Sequence, residues 1–198
     1  MSKRDKVASL LSGFLIATLL LAVAANIGIT FPYLWTIVFI FPVLTFTGIY
    51  IASTIGKKIP VIFQLSKFLL IGLLNTLVDL GILNLLIFTS GITAGVWFPV
   101  FKGLSFLGAV FNSYYWNRAW TFKAKSLLDT DAEQLAKFLI VSGIGLTINI
   151  AIASIIVNVI GPQFGISEKL WANGAALTAA AIVFTWNFMG YKLVVFKK

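Results

Sequence analysis

Gln64-Leu65-Ser66-Lys67-Phe68-Leu69-Leu70-Ile71 returns seventy residues later as Gln134-Leu135-Ala136-Lys137-Phe138-Leu139-Ile140-Val141. Five of the eight positions are identical, including the Gln and Lys that an apolar composition does not repeat by accident. At the same offset Asp79 aligns with Asn149. The ends of the copies correspond too: Arg118-Ala119-Trp120-Thr121-Phe122-Lys123 resembles Lys192-Leu193-Val194-Val195-Phe196-Lys197. Each opening leads into an apolar run, so residues 62–198 read as two copies of a two-helix unit, repeat one at 62–123 and repeat two at 132–198. An even number of spans per copy makes both copies enter the membrane from the same face. They are then parallel repeats, related by an axis along the membrane normal. The alternative is that duplication merely built a stable four-helix bundle.

The rest of the chain sets the solvent. Of 198 residues, 60% are hydrophobic and 11% charged, against about 45–50% and about 25% in ordinary soluble domains. So few charges cannot coat a water-soluble globule of this size. Several uncharged stretches exceed the roughly 20 residues that cross a hydrocarbon core. The expected fold is an all-α integral membrane protein with six transmembrane helices, near 7–29, 34–55, 68–90, 103–115, 138–160 and 170–189. The breaks are Gly28 to Pro32, the basic turn Gly56-Lys57-Lys58-Ile59-Pro60, and Gly161-Pro162. Thr130-Asp131-Ala132-Glu133 reads as a capping box, and Ser167 with Glu168 as the start of the last span. Residues 1–61 form an N-terminal two-helix hairpin outside the repeat.

Lys3-Arg4, the apolar run and Ala22-Val23-Ala24 also fit a signal peptide, although that run is long for a signal core. The small residues Ala172, Ala176 and Ala180, with Gly174 and Thr178, and Gly103, Ser105, Gly108 and Ala109, are expected to let helices approach closely.

Charge gives the orientation. Thirteen of the 15 basic residues fall on one side of the expected topology, and only Lys102 and Lys169 on the other. Both termini are therefore expected in the cytoplasm, with the chain multi-pass in the cell membrane. The net charge of +9 sits at the ends of apolar runs rather than on one polar face, so no nucleic-acid partner is expected. The absence of Cys and His removes thiol chemistry, His proton relays and the usual zinc sites. Neither a metal nor a cofactor is expected.

The polar residues inside the spans need an explanation. Asp79 lies twelve residues past Lys67, roughly 18 Å along the helix. A carboxylate at that depth costs about 2.5–3.5 kcal/mol unless it pairs, meets water or is protonated. It is a candidate functional group, or the partner of Lys102 in an ion pair. Asn75 shares its face at i, i+4, and Asn112, Asn149 and Asn187 extend a band of amides that serves either as interhelical glue or as a path for a hydrated headgroup. After the second helix of repeat one, Tyr114-Tyr115-Trp116-Asn117-Arg118-Ala119-Trp120 places a guanidinium, an amide and aromatic faces together, with Trp116 and Asn117 as path residues. A guanidinium grips phosphate oxygens bidentately. Arg118, Lys67, Lys137 and Lys192 are the candidate phosphate ligands.

These residues carry a family resemblance. Lys67-Phe68 with Gly72, Asn75 and Asp79, then Asn117-Arg118-Ala119-Trp120-Thr121-Phe122, then Lys137-Phe138, and finally Asn187 through Tyr191, Lys192 and Phe196 make residues 62–198 resemble the GtrA-like family of small four-span membrane proteins. The resemblance implies a flippase that moves a polyprenyl-phosphate-linked monosaccharide from the cytoplasmic to the outer leaflet. There a membrane glycosyltransferase would use it to modify a cell-surface polymer. Such a chain has lipid and membrane glycosyltransferases as partners, forms a homo-oligomer in some cases, and is not an enzyme. This chain departs from the pattern in its N-terminal hairpin, and in carrying Tyr191-Lys192 where repeat one has Asn117-Arg118. Two other classes fit the residues: a non-transporting scaffold for a glycosyltransferase, and a proton-coupled exporter built around Asp79.

Overall fold

A computed structural model describes residues 1–121, 132–190 and 194. The described residues form six helices and no strand: α1 (Lys3–Asn26), α2 (Ile37–Ile55, after a 3-10 turn Leu34–Thr36), α3 (Pro60–Ser90), α4 (Trp97–Trp116, running into a π-helical turn Asn117–Thr121), α5 (Ala132–Ser154, running into a π-helical segment Ile155–Ile160) and α6 (Glu168–Gly190). Each expected helix forms. Four segments, Lys3–Asn26, Leu34–Ile55, Pro60–Ser90 and Ala136–Ile160, are long and apolar enough to cross a membrane. The other two trade apolar bulk for packing. Helix α4 carries Lys102, Ser105, Asn112 and Ser113, and α6 is rich in Ala, Gly, Thr and Asn.

Local chemistry sets the ends. Helix α1 starts at a capping box: the Asp5 amide donates to Ser2 Oγ at 3.2 Å, and the Ser2 amide donates back to the Asp5 carboxylate at 2.9 Å. The turn into α2 uses the left-handed conformation at Gly28 and Tyr33. Pro60 opens α3, where a missing N–H leaves no bond unmade. Helix α6 is capped by Ser167, whose Oγ accepts from the Leu170 amide at 3.3 Å. The Thr130-Asp131 half of the capping box expected before α5 lies outside the described residues.

The chain divides into two compact units, each with its own interior: residues 1–81 with 111–121, and residues 82–110 with α5 and α6. In the first, α1 and α2 pair along their length. The buried stripe of α1 is Asp5, Ser9, Ser12, Gly13, Ile16 and Ala17, a run of small residues at helical spacing. Pro42 interrupts the α2 hydrogen-bond ladder, and next to it Thr45 Oγ1 donates across to Ser9 O at 2.7 Å. A side chain at Gly13 would meet Phe41 O and the Pro42 Cα at 2.7 Å. Most of α2 beyond Ile49 and Ala52 is exposed and apolar.

In the second unit α6 packs on α5, and the buried face of α6 is Ala172, Ala175, Ala176, Ala179 and Val183. The small-residue stripe is thus rotated from the one expected. Gly174 and Thr178 are exposed and Ala180 is half-buried, because a 3.6-residue turn alternates steps of three and four rather than repeating four. On α4, Gly108 lies against Ile82, and Ser105 and Ala109 are buried as expected. The π-helical segment after α5 leaves Ile156 O able to accept from both the Gly161 amide at 3.2 Å and Trp171 Nε1 at 2.9 Å.

Gly13→Leu should separate α1 from α2, at a cost of about 1–3 kcal/mol for overpacking. Thermal unfolding of the detergent-solubilised protein would register this as a lowered midpoint. An unchanged midpoint would mean that the hairpin does not depend on this approach.

Candidate functional site

The most concentrated polar chemistry lies in the first unit, where the start of α1 meets the start of α3 and the turn after α4. Lys67 and Asp5 are both buried, at 3% and 2% exposure, and form an ion pair. The two Asp5 oxygens have different partners. Oδ1 accepts from Lys67 Nζ and from Trp120 Nε1 at 3.0 Å. Oδ2 accepts from the Ser2 hydroxyl at 2.6 Å and the Ser2 amide at 2.9 Å. The ammonium also sits 4.1 Å from the Phe63 ring centroid and 5.4 Å from that of Trp120, within the reach of a cation–π attraction.

The sequence explains why these groups meet. Lys67 starts a stripe on α3 that runs through Ile71, Leu74, Leu77, Leu80, Leu83 and Ile87, all buried. That stripe carries the ammonium inward with it. Trp120 is placed by the π-helical turn, which brings it edge-on to Trp116 with ring centroids 6.1 Å apart. Removing either member of such a pair leaves a charge buried and unmatched, which costs about 3–5 kcal/mol.

The structure pairs some of the expected path residues with each other. Asn112 Nδ2 donates to Asn75 Oδ1 at 2.6 Å. Asn84 and Asn173 form a reciprocal amide pair at 2.5 and 3.0 Å inside the second unit. Asn158 makes a two-way contact with the Gly95 backbone at 2.7 and 3.1 Å. These bonds are interhelical or helix-to-loop glue.

Others are left open. Both amide atoms of Asn149 are buried without a hydrogen-bond partner among the described residues, and so is Asn187 Oδ1. Asn187 Oδ1 lies 3.0 Å from where a Cβ on Gly145 would stand, and Gly145 shares the Asn149 face one turn earlier. In the first unit Asn117 donates to Ser113 Oγ at 3.1 Å, while among the described residues its own Oδ1 and Thr121 Oγ1 are buried without a partner. An unmade bond of this kind costs about 1–3 kcal/mol, and a ligand with hydroxyls offsets it.

The remaining expected residues are placed individually. Asp79, in the first unit, and Lys102, in the second, are both buried. Lys137 is half-buried and Trp116 buried. The Arg118 backbone lies in the π-helical turn, its side chain is outside the described residues, and so is all of Lys192. Asp5, Ser2 and the Trp120 ring nitrogen are functional candidates that sequence reading missed. The available signal was the pattern Ser2-Lys3-Arg4-Asp5-Lys6, a capping box that sets one acid among three bases at the mouth of an apolar helix.

Glue and open amides respond oppositely to substitution. Asn84→Leu should leave Asn173 Oδ1 without its donor, while Nδ2 keeps the Lys169 carbonyl at 2.9 Å, and lower stability by about 1–3 kcal/mol. Asn149→Leu should be neutral or stabilising, because it removes an unmade bond. Paired thermal-unfolding measurements would test both, and a strongly destabilised Asn149→Leu would show that this amide is glue as well.

No curated protein and no solved structure matches the chain. A family model does: the GtrA/DPMS transmembrane domain matches residues 67–196, about two thirds of the chain, starting at the buried Lys67 and leaving α1 and α2 outside. The chain is a membrane protein of the GtrA/DPMS transmembrane-domain family.

Proposed function

We propose that the protein is a flippase for a polyprenyl-phosphate-linked monosaccharide, carrying the headgroup from the cytoplasmic to the outer leaflet of the cell membrane. The observation that carries this reading is the family match over residues 67–196. The chemistry of the chain supports it. A sugar phosphate crossing hydrocarbon needs an anion site at one face and hydrogen bonds along the way, while its prenyl tail stays in lipid. Arg118, Lys67, Lys137 and Lys192, which the charge pattern puts on the cytoplasmic side, supply the cations. Asp79, Asn149 and Asn187 supply hydrogen bonds to sugar hydroxyls. No bond of the substrate is made or broken, so no nucleophile or general base is required.

In this reading all six helices span, with both termini in the cytoplasm, and residues 62–198 act as two parallel repeats. A membrane glycosyltransferase that uses the delivered lipid is the expected partner.

Arg118→Ala should reduce transfer of a labelled polyprenyl-phosphate sugar in proteoliposomes by at least about tenfold, the loss of a charge-assisted bidentate contact. Expression and folding should be unaffected. Unchanged transfer would remove Arg118 from the phosphate site. No protein-dependent transfer at all, with tight binding to a glycosyltransferase, would favour a scaffold instead.

A further inference from the structure

Lys67 begins the segment that defines the family, yet its ammonium is already matched by a carboxylate from outside that segment. We propose that Lys67 and Trp120 form a binding site for the phosphodiester of a lipid headgroup, and that Asp5 is its resident occupant, which the phosphate displaces. The inference deepens the flippase reading and rests on it.

The partition of the Asp5 oxygens separates what belongs to the site from what belongs to the occupant. The donors on Oδ1, Lys67 Nζ and Trp120 Nε1, come from α3 and the turn after α4. They stay in place if the start of α1 withdraws. The donors on Oδ2 are the hydroxyl and amide of Ser2, three residues away in the same helical turn, and they leave with Asp5. What remains is an ammonium and an indole N–H aimed at one point, with the Phe63 and Trp120 rings against the cation. A buried cation with aromatic walls requires an anion. A headgroup phosphodiester carries one negative charge, as the carboxylate does, so the exchange leaves the site neutral.

The movement required is small. Helix α1 is tied to α2 at Ser9 by the bond from Thr45, so only the turn before Ser9 has to release. Lys3, Arg4 and Lys6 in that turn are exposed, and an anionic leaflet draws such residues toward itself. The first turn thus has somewhere to go when a lipid phosphate arrives.

The test is binding to the full-length protein in nanodiscs, with a water-soluble short-chain prenyl phosphodiester of glucose as probe and inorganic phosphate as competitor. Removing the resident competitor should tighten binding: Asp5→Asn by about tenfold, and Ser2→Ala, which loosens Asp5 but keeps the ion pair, by about threefold. Both gains should vanish when Lys67→Gln is added. A merely structural ion pair predicts the reverse, weaker or unchanged binding as the fold loosens. Should Asp5→Asn fail to fold, Ser2→Ala carries the test alone.

Native protein that binds the probe while neither variant binds it more tightly overturns the proposal and leaves the flippase reading standing. Gains that persist with Lys67→Gln overturn it too. Absence of binding to native protein and variants alike overturns both readings. Displacement of the probe by inorganic phosphate at equal concentration assigns the site to free phosphate and overturns the headgroup assignment.

Discussion

A positive charge held inside an apolar helical protein must have a negative one beside it, and at Lys67 that partner is Asp5. Moving a lone ammonium or carboxylate out of water costs several kcal/mol, and in hydrocarbon no solvent relieves it. Much else in the first unit follows from this pairing. The capping box at the start of α1 orients the carboxylate, and the small residues that follow let α1 lie close to its neighbours. The π-helical turn after α4 delivers the indole N–H. The appended hairpin is therefore coupled to the family module through the residue at which that module begins.

The same constraint sorts the amides. Asn84 with Asn173, and Asn75 with Asn112, satisfy one another and hold helices together. Asn149 aligns with Asp79 in the repeat, yet its amide has no partner among the described residues. Seventy residues apart in the sequence, one position thus carries a buried carboxylate and the other an open amide.

Much of the architecture was legible in the sequence, because hydrophobic runs of membrane length and their Gly and Pro breaks are one-dimensional signals. The turn at Pro60, the cap at Ser167 and the small residues of α4 lie where composition placed them. The face of α6 was off by part of a turn, since a repeat of four ignores the 3.6-residue period. The site was less legible for a physical reason. Asp5 stands among Lys3, Arg4 and Lys6, and in sequence such a cluster reads as a solvated membrane anchor. Its burial depends on a contact 62 residues away with Lys67, which no local pattern encodes. Likewise Trp120 reads as one of the aromatic faces beside Arg118, and only the widened turn shows its ring nitrogen donating to Asp5.

In the proposed exchange, the Lys67 ammonium trades a carboxylate of its own chain for the phosphate of a lipid. Solid-state NMR of the full-length protein in bilayers, labelled at Lys67 Nζ and Asp5 Cγ, measures this directly through dipolar couplings to the carboxyl carbon and to lipid phosphorus. With saturating polyprenyl-phosphate sugar, the coupling between Lys67 and Asp5 should disappear and one between Lys67 and phosphorus should replace it. A coupling between Lys67 and Asp5 that survives saturation, with no phosphorus contact, would rule out the exchange.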